Sequence, residues 1–191
     1  MQFIVEVSAR HIHLTQHDVD MLFGQGHQLT PSRPLSQPDQ FLCEEKLTVR
    51  IGERRLENVS ILGPVRSASQ IELSRTDCIS LRAKQCLRES GDISGTGSAT
   101  LIGPKGELQL REGLIIAKRH IHMTPQNASE YVVTDKQIVK VQIESEGRHL
   151  IFGDVIVRVS DKYNLAMHVD TDEANAAMIP REGCTGSIFI K

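Results

Sequence analysis

Two histidines separated by one residue occur twice in this chain, as His11-Ile12-His13 and His120-Ile121-His122. Side chains on a β-strand alternate faces with period two, so each pair projects from one side. Paired imidazoles suit Zn²⁺, which takes histidine nitrogens at about 2.0–2.1 Å. One pair alone is a weak signal, because paired histidines also occur in cores and on surfaces. Two copies in matched surroundings are a stronger one.

The surroundings do match. The segment 5–15 (VEVSARHIHLT) recurs as 114–124 (LIIAKRHIHMT), with His11 and His120 separated by 109 positions. The chain therefore reads as a duplicated unit. Alternation with β-branched residues ahead of each motif predicts a strand. Thr15 with Asp18 predicts an N-cap and a short helix ending near Gly24; Thr124 followed by Pro125 predicts a second such start.

A catalytic zinc usually has three protein ligands and an open position. The repeat suggests the third donors, because Glu72 and His168 fall at matching places downstream of 61–66 (ILGPVR) and 155–158 (VIVR). The candidate sets are His11, His13 and Glu72, then His120, His122 and His168. Asp170, Asp172 and Glu173 are rival ligands, partners that orient a histidine, or simply a solvated helix start. His17, His27 and His149 lie outside the pattern and read as surface residues.

Arg66 and Arg158 precede the third donors, and a guanidinium fork binds phosphate with paired, charge-assisted hydrogen bonds. Arg10 and Arg119 alternate with the histidines, so they are read as neutralising carboxylates such as Glu6 or Asp172. Ser8 becomes Ala117 in the second copy; it could bind phosphate or a reacting oxygen, or be a plain strand serine.

These residues need elements to hold them. Strand-like content runs through 46–51, 56–62, 99–102, 137–143 and 149–159, with turns near Gly52-Glu53 and Glu146-Gly147. The segment 90–98 (SGDISGTGS) reads as a flexible connection, since it lacks the Gly-Lys-Ser/Thr of a phosphate loop. Many short strands with few helices predict a mainly β protein of two small barrels or sandwiches with short capping helices.

Composition narrows the function further. A net charge of -2 supplies no basic field for nucleic acid, and the absence of Trp with only two Tyr and five Phe argues against a base-stacking surface. Cys43, Cys78, Cys86 and Cys184 form no CxxC pair and read as reduced thiols. No apolar run approaches the roughly 20 residues that span a membrane. Glu6 and Arg10 interrupt any signal-peptide pattern, so a cytoplasmic location is expected.

The motifs SARHIHLT, ILGPVRSASQIELSRTD, EGLIIAKRHIHMT and AMHVDTDEANAA resemble the PduL family of phosphate acyltransferases, from about Val5 to Ala177. These are the phosphate propanoyltransferases and phosphotransacetylases of propanediol utilisation and related bacterial microcompartments. The resemblance implies the reaction acyl-CoA plus phosphate giving acyl phosphate plus coenzyme A, with acetyl or propanoyl as the acyl group. It implies two Zn²⁺ ions bridging a site between two β-barrels, with ligands at His11, His13, Glu72, His120, His122 and His168. Phosphate and active-site positions fall on Ser8, Arg66 and Arg158. It implies interleaving too: residues 1–10 with 118–191 in one barrel, 11–117 in the other.

Homo-oligomer formation and residence in a microcompartment lumen are compatible with the resemblance. The amphipathic leader of many microcompartment members is not expected in this sequence, because the predicted first strand starts almost at Met1; such a member works free in the cytosol, is carried in by a partner, or was cloned without its leader. Among rivals, a zinc hydrolase would activate water at the open metal position. The HxHxDH of metallo-β-lactamase-like proteins is not matched by HIHLTQ, and a cupin's downstream glutamate is missing. A scaffold zinc would normally have four ligands, rich in cysteine.

Overall fold

The alternating segments form strands that close on themselves twice. The computed structural model describes residues 1–189. The chain runs β1 (Gln2–Val7), β2 (His11–His13), α1 (Gln16–Phe23), β3 (Pro31–Pro34), β4 (Phe41–Ile51) and β5 (Arg54–Gly63). It continues through β6 (Gln70–Glu72), α2 (Arg75–Leu81), β7 (Leu87–Arg88), β8 (Gly97–Ile102) and β9 (Glu107–Ala117). The remainder is β10 (His120–Met123), α3 (Pro125–Tyr131), β11 (Ile138–Glu144), β12 (Leu150–Val159), β13 (Ala166–Val169), α4 (Thr171–Ala176) and β14 (Cys184–Ile188).

One barrel has the order β1-β13-β10-β12-β11-β14. The other runs β4-β5-β2-β6-β9 and is closed by β8, which pairs with both β4 and β9; β3 and β7 are added at its margins. The pairing senses repeat. β1 with β13, and β10 with β12, are parallel around an antiparallel β10–β13 pair. β9 with β6, and β2 with β5, are parallel around an antiparallel β2–β6 pair.

The duplication is visible in the register, and it is crossed. Val5 stands opposite Met167, and its repeat counterpart Leu114 stands opposite Ile71. So β1, from the first copy, completes the barrel that holds the second histidine pair, and β9 completes the other. By contact density, one unit comprises Met1–Ala9, Ser36–Pro38 and the chain from Lys118 onward; the other comprises Arg10–Leu35 and Asp39–Ala117.

Each barrel has its own core. Val5, Ile121, Val141, Val155, Val157 and Met167 are fully buried in one, and Ile12, Val49, Ile61, Ile71, Leu101 and Leu114 in the other. Each such side chain contributes about 1.5–3 kcal/mol by leaving water. Because Ile12 and Ile121 point inward, period two sends the flanking histidines to the opposite face.

Each strand bearing a candidate ligand ends in a helix cap two residues later. Thr15 follows His13, Ser74 follows Glu72, Thr124 follows His122, and Asp170 follows His168; each accepts a hydrogen bond from a backbone N–H in the first turn of α1, α2, α3 or α4. A cap satisfies an otherwise orphaned donor and is worth about 1 kcal/mol. Here it also fixes where the chain leaves the strand.

Candidate metal centres

In the barrel containing β2 and β6, the antiparallel register sets His11 opposite Glu72 and His13 opposite Gln70. His11, His13 and Glu72 are buried, and their donor atoms lie within 4.8 Å of one another. The His11 Nε2 is 3.6 Å from Glu72 Oε2, and the two imidazoles meet edge to face at 4.9 Å. The His13 Nδ1 lies 3.2 Å from the Leu62 carbonyl, which can only accept. That contact places the proton on Nδ1 and leaves the lone pair on Nε2.

Burial, seconded by His11 and Arg66, lowers the His13 pKa well below the usual histidine value. Burial pushes Glu72 the other way, but His11, His13 and the Ser90 hydroxyl outweigh it and hold the carboxyl well below the usual range. A neutral imidazole beside an ionised carboxylate is the protonation state that metal binding requires.

The other oxygen of Glu72 is occupied by protein. Ser90 donates to Oε1 at 2.7 Å and the Gln70 amide at 2.6 Å. Arg66 reaches Ser90 Oγ with Nη1 at 3.3 Å, while its backbone N–H donates to Leu14.

In the barrel containing β10 and β13, His168 stands opposite His120, and Ala166 opposite His122. The donor atoms of His120, His122 and His168 lie within 4.8 Å of one another. His120 donates from Nδ1 to the Lys118 carbonyl at 2.8 Å, which again leaves Nε2 with the lone pair. His168 presents Nδ1 to Glu6 Oε2 at 3.7 Å, and the Ser36 hydroxyl donates to that oxygen at 2.5 Å. A carboxylate behind a histidine is the arrangement that orients metal-bound imidazoles.

Arg158 lies beside His122 in the parallel pair, and Tyr163 stacks on His122 with ring centroids 4.0 Å apart. Arg158 donates to the Tyr163 hydroxyl at 3.3 Å.

Both donor sets fit Zn²⁺. Two histidines with a glutamate, and three histidines, are the ligand types of zinc sites that keep a fourth position open. No cysteine belongs to either set, and all four cysteines are free thiols.

The sequence agrees with a family model described as phosphate propanoyltransferase over residues 4–180. The chain belongs to the phosphate propanoyltransferase family. Among relatives of that name, the Thermotoga maritima protein is 51% identical over 92% of this chain and 84% of its own. The Listeria monocytogenes protein is 48% identical over 98% of this chain and 87% of its own. The Leptotrichia buccalis protein is 50% identical over 97% and 87%. The expected class, a phosphate acyltransferase, and the mainly β architecture of two barrels with short helices both stand.

The remaining candidates have protein partners of their own. Asp170 and Glu173 are engaged with one another in the capping box that starts α4, where Asp172 occupies the first turn. Arg10 pairs with Asp77 at 3.1 Å and Arg119 with Glu173 at 2.7 Å, so both arginines bind the third residue of the helix that follows the third donor. Arg119 also lies 3.9 Å from Asp154, so both arginines stand against carboxylates. The backbone N–H of Ser8 donates to Val169.

His17 and His149 are exposed, whereas His27 is half-buried, stacked on Phe23 and bonded to Glu45 at 2.8 Å. Gln70, Ser90, Ser36 and Tyr163 were not visible as site residues in the sequence. Only Gln70 left a usable signal, because it lies two positions from Glu72 on the same strand.

Proposed function

We propose that this chain is a zinc-dependent phosphotransacylase that interconverts acyl-CoA plus phosphate with acyl phosphate plus coenzyme A, using acetyl or propanoyl groups. One observation carries the reading: two three-donor clusters, each with an arginine close by, occur in a chain of the phosphate propanoyltransferase family. His11, His13 and Glu72 hold one ion, and His120, His122 and His168 a second. Bound zinc supplies Lewis-acid stabilisation of negative charge on oxygen.

The protein's own residues bind and orient. Arg66 and Arg158 hold phosphate through charge-assisted hydrogen bonds, with Ser8 as a further donor. A phosphate oxygen bonds to the thioester carbonyl carbon, the carbon–sulfur bond breaks, and sulfur leaves with the electron pair as the coenzyme A thiolate. No protein nucleophile enters this balance. Among the thiols, Cys43 is buried, and burial pushes its pKa up to about 11, so it is inert at neutral pH. No helix among the described residues is long and apolar enough to cross a membrane. Cytoplasmic residence, self-association and a place in a propanediol-type microcompartment belong to the same proposal.

The test is to mix purified protein with acetyl-CoA or propanoyl-CoA and follow free thiol with and without phosphate, before and after chelation. Phosphate-dependent release that chelation abolishes and zinc restores is expected. Release without phosphate would make the protein a thioesterase; no release from zinc-loaded protein would make it a scaffold.

A further inference from the structure

The hydroxyl of Ser90 makes three hydrogen bonds. It donates to Glu72 Oε1 at 2.7 Å and accepts from Gln70 Nε2 at 3.0 Å and Arg66 Nη1 at 3.3 Å. One donor and two acceptor lone pairs are all that a serine hydroxyl has, so its capacity is used in full. The Gln70 amide is committed too: Nε2 also donates to Glu72 Oε1 at 2.6 Å, and Oε1 accepts the Gly91 N–H at 2.7 Å. Accepting a backbone N–H fixes which end of the amide is oxygen.

Gly91 has φ of +99°, where an L side chain is strained, although nothing lies within 4 Å of where its Cβ would stand. Glycine is therefore needed here for backbone direction rather than for space. It aims its N–H at Gln70 and brings Ser90 over Glu72. The other barrel has no such device at the matching place, since Ala166 holds the position of Gln70.

Both donors converge on Oε1, while Oε2 is turned to His11 at 3.6 Å. We infer that Ser90 and Gln70 are positioning residues: they make Glu72 a one-oxygen metal ligand and tie it, through the Ser90 hydroxyl, to Arg66. The segment that reads as a plain glycine-rich connection thus joins a metal donor and an anion-binding guanidinium in one hydrogen-bonded frame. The inference rests on the zinc reading proposed above.

The test is zinc competition against a chromophoric chelator, with visible absorption of the cobalt-loaded protein as a second readout. In Ser90→Ala, one of two zinc affinities should fall about 10–100-fold, the usual cost of losing a partner behind a ligand, and the other should not move. The cobalt absorption of one ion should weaken, because Oε1 of Glu72 then keeps only the Gln70 amide and is freer to approach the metal beside Oε2. Ser90→Thr, which keeps the hydroxyl, should restore both.

Should Ser90→Ala fail to fold, Gln70→Met removes the amide donor from Glu72 Oε1, together with the acceptor of the Gly91 N–H, and the same selective loss is expected. Unchanged affinities and spectra in Ser90→Ala or its substitute would overturn the inference alone, as would a Ser90→Thr as weak as Ser90→Ala. A wild-type protein that takes up no zinc would overturn the metal reading and this inference with it.

Discussion

Glu72 and His168 occupy one register position in two barrels: Glu72 directly opposite His11, His168 directly opposite His120. Their parallel neighbours are exchanged in character. Ile115 stands beside Glu72, and Glu6 stands beside His168. Each centre therefore has one carboxylate, placed among the donors in one barrel and behind a donor in the other. The two proposed ions would differ in charge environment while sharing geometry.

Glu72→Ala and His168→Ala should each lower bound zinc by one ion per chain and leave the other in place. Phosphate-dependent release of coenzyme A should fall by about 10²-fold or more in both. Glu6→Gln keeps every donor, so a milder loss of about 10-fold is expected in zinc affinity or activity. Metal analysis of the purified variants, paired with the thiol assay, checks all three.

Arg66→Ala and Arg158→Ala should raise the KM for phosphate about 10–100-fold while zinc content stays unchanged. Hydrogen bonds to charged groups are worth roughly 1.5–3 kcal/mol, and that range sets the size. Tyr163→Phe removes one 3.3 Å contact to Arg158 and leaves the ring on His122, so a change of only a few-fold is expected. A parallel loss of zinc in either arginine variant would reassign that arginine to holding the ligands.

Arg119→Ala should destabilise the protein more than Arg10→Ala. Arg119 is three-quarters buried, bonds Glu173 at 2.7 Å and the Gly153 carbonyl at 2.7 Å, and lies over Phe152. Loss of about 1–3 kcal/mol is expected there. Arg10 is 43% exposed and has one carboxylate partner, the buried Asp77, with no carbonyl or ring contact beside it among the described residues, so a smaller loss of about 1 kcal/mol is expected. Urea unfolding of the two variants measures the difference.

Glu45 should make stability sensitive to acid. Burial raises its pKa, but hydrogen bonds from its own backbone, His27 and Thr30 prevail and hold it below the usual glutamate value. A depressed folded pKa means the contribution is complete above the unfolded value of about 4.3 and is lost as pH falls through the folded one. Glu45→Gln should be less stable than wild type at pH 7, and the gap should shrink below about pH 4. Melting temperatures across that range test the sign.

Local patterns were legible in the sequence where one strand or one turn decides them. The period-two histidines, the Thr15 and Thr124 caps and the matching places of Glu72 and His168 all follow from spacing within a repeat. Partners that arrive from distant segments left no such trace. Ser90 reaches Glu72 across 18 positions and Ser36 reaches Glu6 across 30, and neither spacing has a period to detect. Arg10 and Arg119 could be placed on the far face from the histidines, yet their partners Asp77 and Glu173 depend on helices that follow other strands.

The crossed strands carry a consequence for how such a chain could arise. Divided between β8 and β9, the first half holds five strands of one barrel and a lone strand belonging to the other, and the second half is its mirror in content. Neither half can seal itself, and each carries the stave the other lacks. A half-length forerunner would have had to lend its first strand to a second molecule and borrow one back. Joining two such genes in tandem turns that mutual loan into a permanent intramolecular one, after which the two copies are at liberty to diverge, one keeping a glutamate where the other keeps a histidine.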